Sequence, residues 1–192
     1  MRPEGLGFCG CNQNSKMVGT VFDLWMEILA GVPRSVLGRQ TGAGEHRMRA
    51  RAVQKGIDPS RLVFAPHLPK PGHLARLKLA DVFLDTHTYN AHTTSSEALW
   101  AGVPVITCPA DAFAGRVAAS LLNAIGLPAM ICTDFDATRR LAIAPPHARP
   151  KTDDPPRETP RTLHPDPLLD TTDSQRPLGP APRNGAGGRT SA

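Results

Sequence analysis

The chain has 192 residues and a formal charge of +5, with 40% hydrophobic and 5% aromatic residues. That length allows one domain, or one domain with a tail, and a core of useful size. No run of about 18 or more apolar residues occurs, the N-terminal MRPEGLGFCG lacks the apolar stretch of a secretory signal, and the basic residues form no run. A cytoplasmic protein that spans no membrane and binds no nucleic acid is the expectation. The charge surplus lies mostly in the first 142 residues, since the last 50 carry seven Lys/Arg against six Asp/Glu. A small anionic ligand accounts for such a surplus as well as a polynucleotide does.

In chain order, the apolar run GLGFCGC reads as a first strand and leads into the polar loop NQNSK. TVFDLWMEILAGV has helical spacing of its apolar residues. SVLG reads as a second strand, although RQTGAG behind it turns polar and glycine-rich at once. GEHRMRARAVQKGI is a helix, RLVFAP a third strand, and PGHLARLKLA a helix entered through HLPKPGH. DVFLDT is a fourth strand, followed by the loop HTYNAHTT and the helix TTSSEALWAG. VPVITC is a fifth strand, AFAGRVAASLLNAIGL a helix, and PAMICT a sixth strand. Short buried strands alternating with helices of this length imply parallel βαβ units, so the expected fold is α/β, a Rossmann-like parallel sheet with helices on both faces.

From Pro145 onward the composition changes. This stretch holds 11 of the 20 prolines and no aromatic residue. It cannot bury enough apolar surface to offset its conformational entropy, so residues 143–192 are expected to form a disordered tail behind a domain of residues 1–142. The four cysteines, Cys9, Cys11, Cys108 and Cys132, lack the paired spacing of a zinc site, and free thiols with no bound metal are expected.

Ligands of parallel sheets bind outside the carboxyl ends of the strands. That rule selects NQNSK, HLPKPGH and HTYNAHTT. A helix starting near Thr93 or Thr94 points free amides and the positive end of its dipole into the cleft, which suits a diphosphate. The simpler reading of the same residues is a capped helix start, with Thr93 or Thr94 as cap and Glu97 completing a capping box. Lys16 can reach across to neutralise phosphate charge, and Gln13 can bond the same ligand. His73 and Arg76 share a helix face, where an imidazole can stack on a base and a guanidinium can bond its carbonyl. Taken singly, Lys16, Gln13, Lys70, His73 and Arg76 also read as solvated polar residues; three loops opening at one rim favour a site.

The runs FCGCNQNSK and DVFLDTHTYNAHTTSSEALWAGVPVIT, with the segments between and after them, resemble the O-linked N-acetylglucosamine transferase/SPINDLY family. The likeness covers residues 5–142 and the C-terminal half of the family's GT-B catalytic region, in its bacterial form. The resemblance implies a metal-independent, inverting glycosyltransferase that takes a UDP-sugar, often UDP-N-acetylglucosamine, and transfers the sugar to Ser/Thr hydroxyls of proteins. It implies that Lys16 contacts the diphosphate and supports leaving-group departure, with Gln13 in the same motif. Lys70, His73 and Arg76 match positions that hold ribose and uracil, the Leu68 backbone matches a contact to the base, and His92, Thr93 and Thr94 match the turn that receives the phosphates. Glu97 stands where a ribose-binding carboxylate is usually Asp. No residue stands out as general base.

Two departures shape the expectation. Only the second of the two GT-B halves is present, and past TDFDATRRLA, where the family continues into helix, the chain turns proline-rich as though the reading frame had changed. The expected product is therefore a truncated or frameshifted one that is active, if at all, with a complementary N-terminal half. The alternative from another class is a non-catalytic UDP-binding module or interaction protein. A retaining GT-B enzyme lacks support from the HTT turn, and an NAD-binding domain lacks a GxGxxG after the first strand.

Overall fold

A computed structural model describes residues 5–149. Of the expected tail, 143–192, the first residues are described, with Ile143 closing the last α-helix and Pro146–Ala148 in a 3₁₀ turn; residues 150–192 lie outside the described residues. Five strands alternate with helices: β1 (Gly7–Cys9), α1 (Gly19–Gly31), β2 (Val36–Gln40), α2 (Glu45–Gln54), β3 (Leu62–Ala65), α3 (Lys70–Leu77), β4 (Val82–Leu84), α4 (Thr93–Trp100), β5 (Val105–Ile106), α5 (Val117–Ala124) and α6 (Phe135–Ile143). All strand pairs are parallel, in the order β3-β2-β1-β4-β5. Successive residues of β4, Val82, Phe83 and Leu84, are all buried. Because side chains alternate sides along a strand, unbroken burial means that both faces of the sheet are covered.

Helix α1 buries Val21, Phe22, Leu24, Trp25, Met26, Ile28 and Leu29, a face wider than a single amphipathic stripe. It packs beside α6, while α3, α4 and α5 are neighbours in turn. The corner between α1 and β2 is pinned by Arg61, which donates to the carbonyls of Leu29, Val32 and Ser35 at 2.7–2.9 Å. The Asp81 carboxylate accepts from the Gly7 amide at 2.7 Å and so ties the start of β1 to the start of β4.

Two local expectations are corrected. PAMICT is not a strand: Pro128–Met130 forms a 3₁₀ turn, and one isolated bridge, Thr107 to Ile131, is all that joins the sheet. Pro128 presets the turn, and Asp134 caps α6 two residues past Cys132, which leaves too little extended chain for a strand. The second strand persists further than its polar text suggests. Leu37–Gln40 pairs residue by residue with β3, and Arg39 within it is 2% exposed.

The order reverses at β1. From there the chain runs outward to β2 and β3, then returns across to β4 and β5. Loops leaving adjacent strands in opposite directions open a crevice at their carboxyl ends, here between β1 and β4.

Candidate functional site

A cleft of about 540 Å³ lies at that crevice, within the size range of small-molecule sites. Its lining includes Gln13, Lys16, Leu68, Lys70, His73, His92, Thr93, Thr94 and Glu97, so nine of the ten residues singled out in the sequence meet there. Arg76 is the exception. Its guanidinium turns to the Pro66 carbonyl at 2.6 Å and to His73 Nδ1 at 3.3 Å, where it braces the loop ahead of α3. Cys11, Asn12, Gln40, His67 and Tyr89 complete the wall.

The loop between β4 and α4 is built around Asp85. Its Oδ1 accepts from the amides of Thr86 at 2.8 Å and Ala91 at 2.7 Å and from Asn12 Nδ2 at 3.3 Å. Its Oδ2 accepts from the Thr107 hydroxyl at 2.8 Å. Asn12 also donates to Thr86 Oγ1 at 2.8 Å, which fastens the β1 loop to the β4 loop. Asn90 Nδ2 donates to the Thr86 carbonyl at 2.5 Å, and the Asn90 amide to Ala114 at 2.7 Å. Burial pushes the Asp85 carboxyl up to about 6, against the four bonds that favour its charged form. Neither Asp85, Asn12 nor Asn90 was singled out beforehand. The available signal was a carboxylate ending the apolar run DVFLD, a place where an unpaired charge would be costly.

This scaffold decides how α4 begins. Thr93 is already helical, and His92, at φ −98° and ψ −92°, precedes it without any side-chain cap bond. The capping box of the simpler reading is therefore absent. Glu97 faces across the cleft instead, with its carboxylate 3.5 Å from Lys70 Nζ and 3.4 Å from His73 Nε2. The first-turn amides thus gain no side-chain acceptor from their own helix start, which leaves them available to an anion. Asn12 Oδ1, Asn90 Oδ1 and Ser95 Oγ, all buried nearby, also lack a protein partner among the described residues.

Lys16 closes the 3₁₀ turn Asn14–Lys16. Its ammonium donates to the Asn90 carbonyl at 3.2 Å and sits 3.8 Å from the centroid of the Tyr89 ring. Tyr89 in turn stacks on His92, with ring centroids 4.9 Å apart and planes at 20°. The lysine from the first loop is thereby held against the two residues that lead into α4. Burial holds its pKa below the ordinary lysine value, and the Asp85 charge opposes that shift. Tyr89 is a cleft residue that the sequence reading passed over, since an aromatic in a polar loop carries no spacing signal.

On the opposite wall, His73 Nδ1 faces the Arg76 guanidinium, which can only donate, so Nδ1 accepts and the proton resides on Nε2, toward Glu97. Burial lowers the His73 pKa, with Glu97 working the other way and Arg76 reinforcing it. Gln40 Nε2 donates to His67 Nδ1 at 2.7 Å and links the ends of β2 and β3. Arg39 holds the β1 loop from beneath by donating to the Gly10 carbonyl at 2.7 Å. Trp25 packs so closely under Gly10 that a Cβ there would stand 2.5 Å from the indole, so only glycine fits. Among the described residues, no group of three or more His, Cys, Asp or Glu is placed to hold a metal ion, and no helix is long and apolar enough to cross a membrane.

The parallel sheet with helices on both faces and a cleft at its switch point matches the Rossmann-like architecture of GT-B glycosyltransferases. Comparison with known proteins narrows this. Residues 2–148 match the pattern of Glycosyl transferase family 41, and the chain belongs to that family. It is 42% identical over 130 residues to the UDP-N-acetylglucosamine--peptide N-acetylglucosaminyltransferase of Caenorhabditis elegans, covering 67% of this chain and 11% of that protein. It is 40% identical over 153 residues to the probable transferase SEC of Arabidopsis thaliana, covering 78% of this chain and 16% of that protein. The solved structure of a Thermobaculum terrenum O-GlcNAc transferase mutant superposes with a TM-score of 0.70 at 32% identity, covering 72% of this chain and 28% of that one. The chain thus spans a small part of the relatives it matches.

Proposed function

We propose that the cleft binds the nucleotide diphosphate of a UDP-sugar, with UDP-N-acetylglucosamine the first choice of donor. On this reading the domain is the donor-binding half of an inverting, metal-independent protein O-glycosyltransferase acting on Ser/Thr hydroxyls. The observation that carries it is the meeting of Lys16 with the uncapped start of α4 in one cleft at the switch point. The names of the relatives, peptide N-acetylglucosaminyltransferases, support the choice of sugar and acceptor.

The chemistry assigned to these residues is electrostatic. As an acceptor hydroxyl attacks the anomeric carbon, the bond from that carbon to the diphosphate oxygen breaks and UDP departs with growing negative charge. The helix-fixed amides of Thr93 and Thr94, and the Lys16 ammonium once turned onto the phosphates, meet that charge, and this lowers the barrier. Lys70, His73 and Glu97 line the wall where ribose and base would lie, and Leu68 offers its backbone beside them. Gln13 and His92 flank the phosphates. Arg76 acts through His73 in this arrangement rather than by touching the nucleotide.

A second reading is that the cleft binds UDP without any transfer of the sugar. Titration calorimetry with UDP, UDP-N-acetylglucosamine and UDP-glucose, followed by a transfer assay on a peptide pool with and without a complementary N-terminal half, separates the two. Binding with transfer only beside the added half supports the donor-half reading. Binding with no transfer in either case supports the second, and heat from none of the three nucleotides rejects both.

A further inference from the structure

Two ties join the loop after β1 to the loop between β4 and α4. Lys16 makes one of them, on the Asn90 carbonyl at 3.2 Å. Asn12, four residues earlier and buried, makes the other. Its Nδ2 carries two hydrogens and directs both across, to Thr86 Oγ1 at 2.8 Å and to Asp85 Oδ1 at 3.3 Å. Arg39 fixes the backbone of this segment, donating to the Gly10 carbonyl at 2.7 Å and the Asn12 carbonyl at 3.5 Å. The Thr86 hydroxyl is the junction. It accepts from Asn12 and donates its single hydrogen to the Tyr89 carbonyl at 2.6 Å. The Tyr89 ring lies 3.8 Å from the Lys16 ammonium, and Asn90, next in the chain, supplies the carbonyl that holds it. Thr86 is 0% exposed, and neither partner of its hydroxyl belongs to a strand or helix. The hydroxyl therefore adds nothing to the sheet ladder; what it fixes is the placement of one loop against the other. A diphosphate undoes the Lys16 tie, because the ammonium must leave Asn90 to meet phosphate oxygens. The tie from Asn12 to Thr86 does not involve the ammonium and can persist.

We propose that Thr86 and Asn12 are a positioning pair, which holds the loop carrying Lys16 in register with the start of α4 and so sets the affinity of the cleft for a nucleoside diphosphate. This role rests on the nucleotide reading of the cleft. Without the pair the first loop takes up several placements, and the fraction of molecules with Lys16 within reach of the phosphates falls. The apparent affinity falls with that fraction. Neither residue needs to touch the nucleotide, since the pair acts through Lys16.

The test is calorimetric titration of the full chain with UDP, arranged as a double-mutant cycle. Thr86→Val removes the hydroxyl with little change of shape and should weaken UDP binding about five- to tenfold, the worth of one buried hydrogen bond. Thr86→Ser keeps the hydroxyl and should restore binding to within about twofold. In a Lys16→Ala background the same Thr86→Val change should cost no more than about twofold, because no ammonium is left to place. A hydroxyl that only supports the fold would give equal losses in both backgrounds. That result, or Thr86→Val binding UDP as tightly as the unaltered chain, would overturn the proposal. Asn12→Ala carries the same pair of expectations and decides the matter if Thr86→Val does not fold, with circular dichroism showing which variants are folded. Failure of the unaltered chain to bind UDP is a different result: it rejects the nucleotide reading itself, and the positioning role with it.

Discussion

Replacing Asp85 with asparagine should free the domain's stability from a pH dependence that the unaltered protein carries. Asp85 is 9% exposed, and burial raises its carboxyl from an ordinary 3.8 to about 6. A raised folded-state value means that the native protein binds the proton more tightly than the unfolded chain. The stabilising contribution is full below about pH 3.8 and is lost as pH rises toward about 6 and beyond. Between pH 4.5 and pH 7.5 the linkage relation gives a loss of about 2 kcal/mol from this one group, an order-of-magnitude figure. Asparagine keeps the geometry. Its oxygen can accept from Thr86, Ala91 and Asn12 as Oδ1 does, and its amide can donate to the Thr107 hydroxyl, which rotates to receive it. Urea unfolding followed by far-ultraviolet circular dichroism across that range measures the difference between the two proteins. The unaltered protein should lose about 2 kcal/mol relative to Asp85→Asn as pH rises. Parallel stability curves would show that the loop carboxylate is not held neutral by burial, and that the account of the β4–α4 loop is wrong.

Other perturbations probe the cleft directly. Lys16→Ala should weaken UDP binding by about ten- to a hundredfold in calorimetry, the worth of one charge-assisted contact to phosphate, while Lys16→Arg should restore part of it. Tyr89→Leu removes the ring that steadies the Lys16 ammonium, and a contact of about 0.5–1 kcal/mol implies a two- to fivefold weaker UDP affinity. Tyr89→Phe keeps the ring and should bind UDP like the unaltered protein. Gly10→Ala places a Cβ 2.5 Å from the Trp25 indole and should lower stability by about 1–3 kcal/mol in thermal unfolding.

Much of the fold could be read from residue order because its strands are short apolar runs between helices of clear periodicity. VFL and VI are buried on both faces, so their text is unbroken by polar residues. The error at PAMICT has the same root: an apolar run looks like a strand whether it pairs along its length or, as here, turns at Pro128 and touches the sheet once. The cleft was legible to the extent that strand ends predict where loops converge. Lys16, His73 and Thr93 come from three segments beyond strand ends, separated by up to 77 positions, yet all line one cleft. The supporting residues were hidden because their role depends on partners distant in sequence. Asp85 meets Asn12 and Thr107, and Arg39 meets Gly10, across separations that no local pattern encodes. Glu97 shows the reverse case. Its spacing from Thr94 satisfies a local capping rule, but Lys70 and His73 from another helix compete for the carboxylate and win it.

A crystal structure of the chain with bound UDP is the most direct test of the claim that this cleft seats a diphosphate. The account predicts phosphate oxygens within hydrogen-bonding distance of the Thr93 and Thr94 amides, with the Lys16 ammonium turned from the Asn90 carbonyl onto them. UDP found elsewhere on the sheet, or a diphosphate in the cleft with Lys16 still on Asn90 and no amide contact, would contradict it.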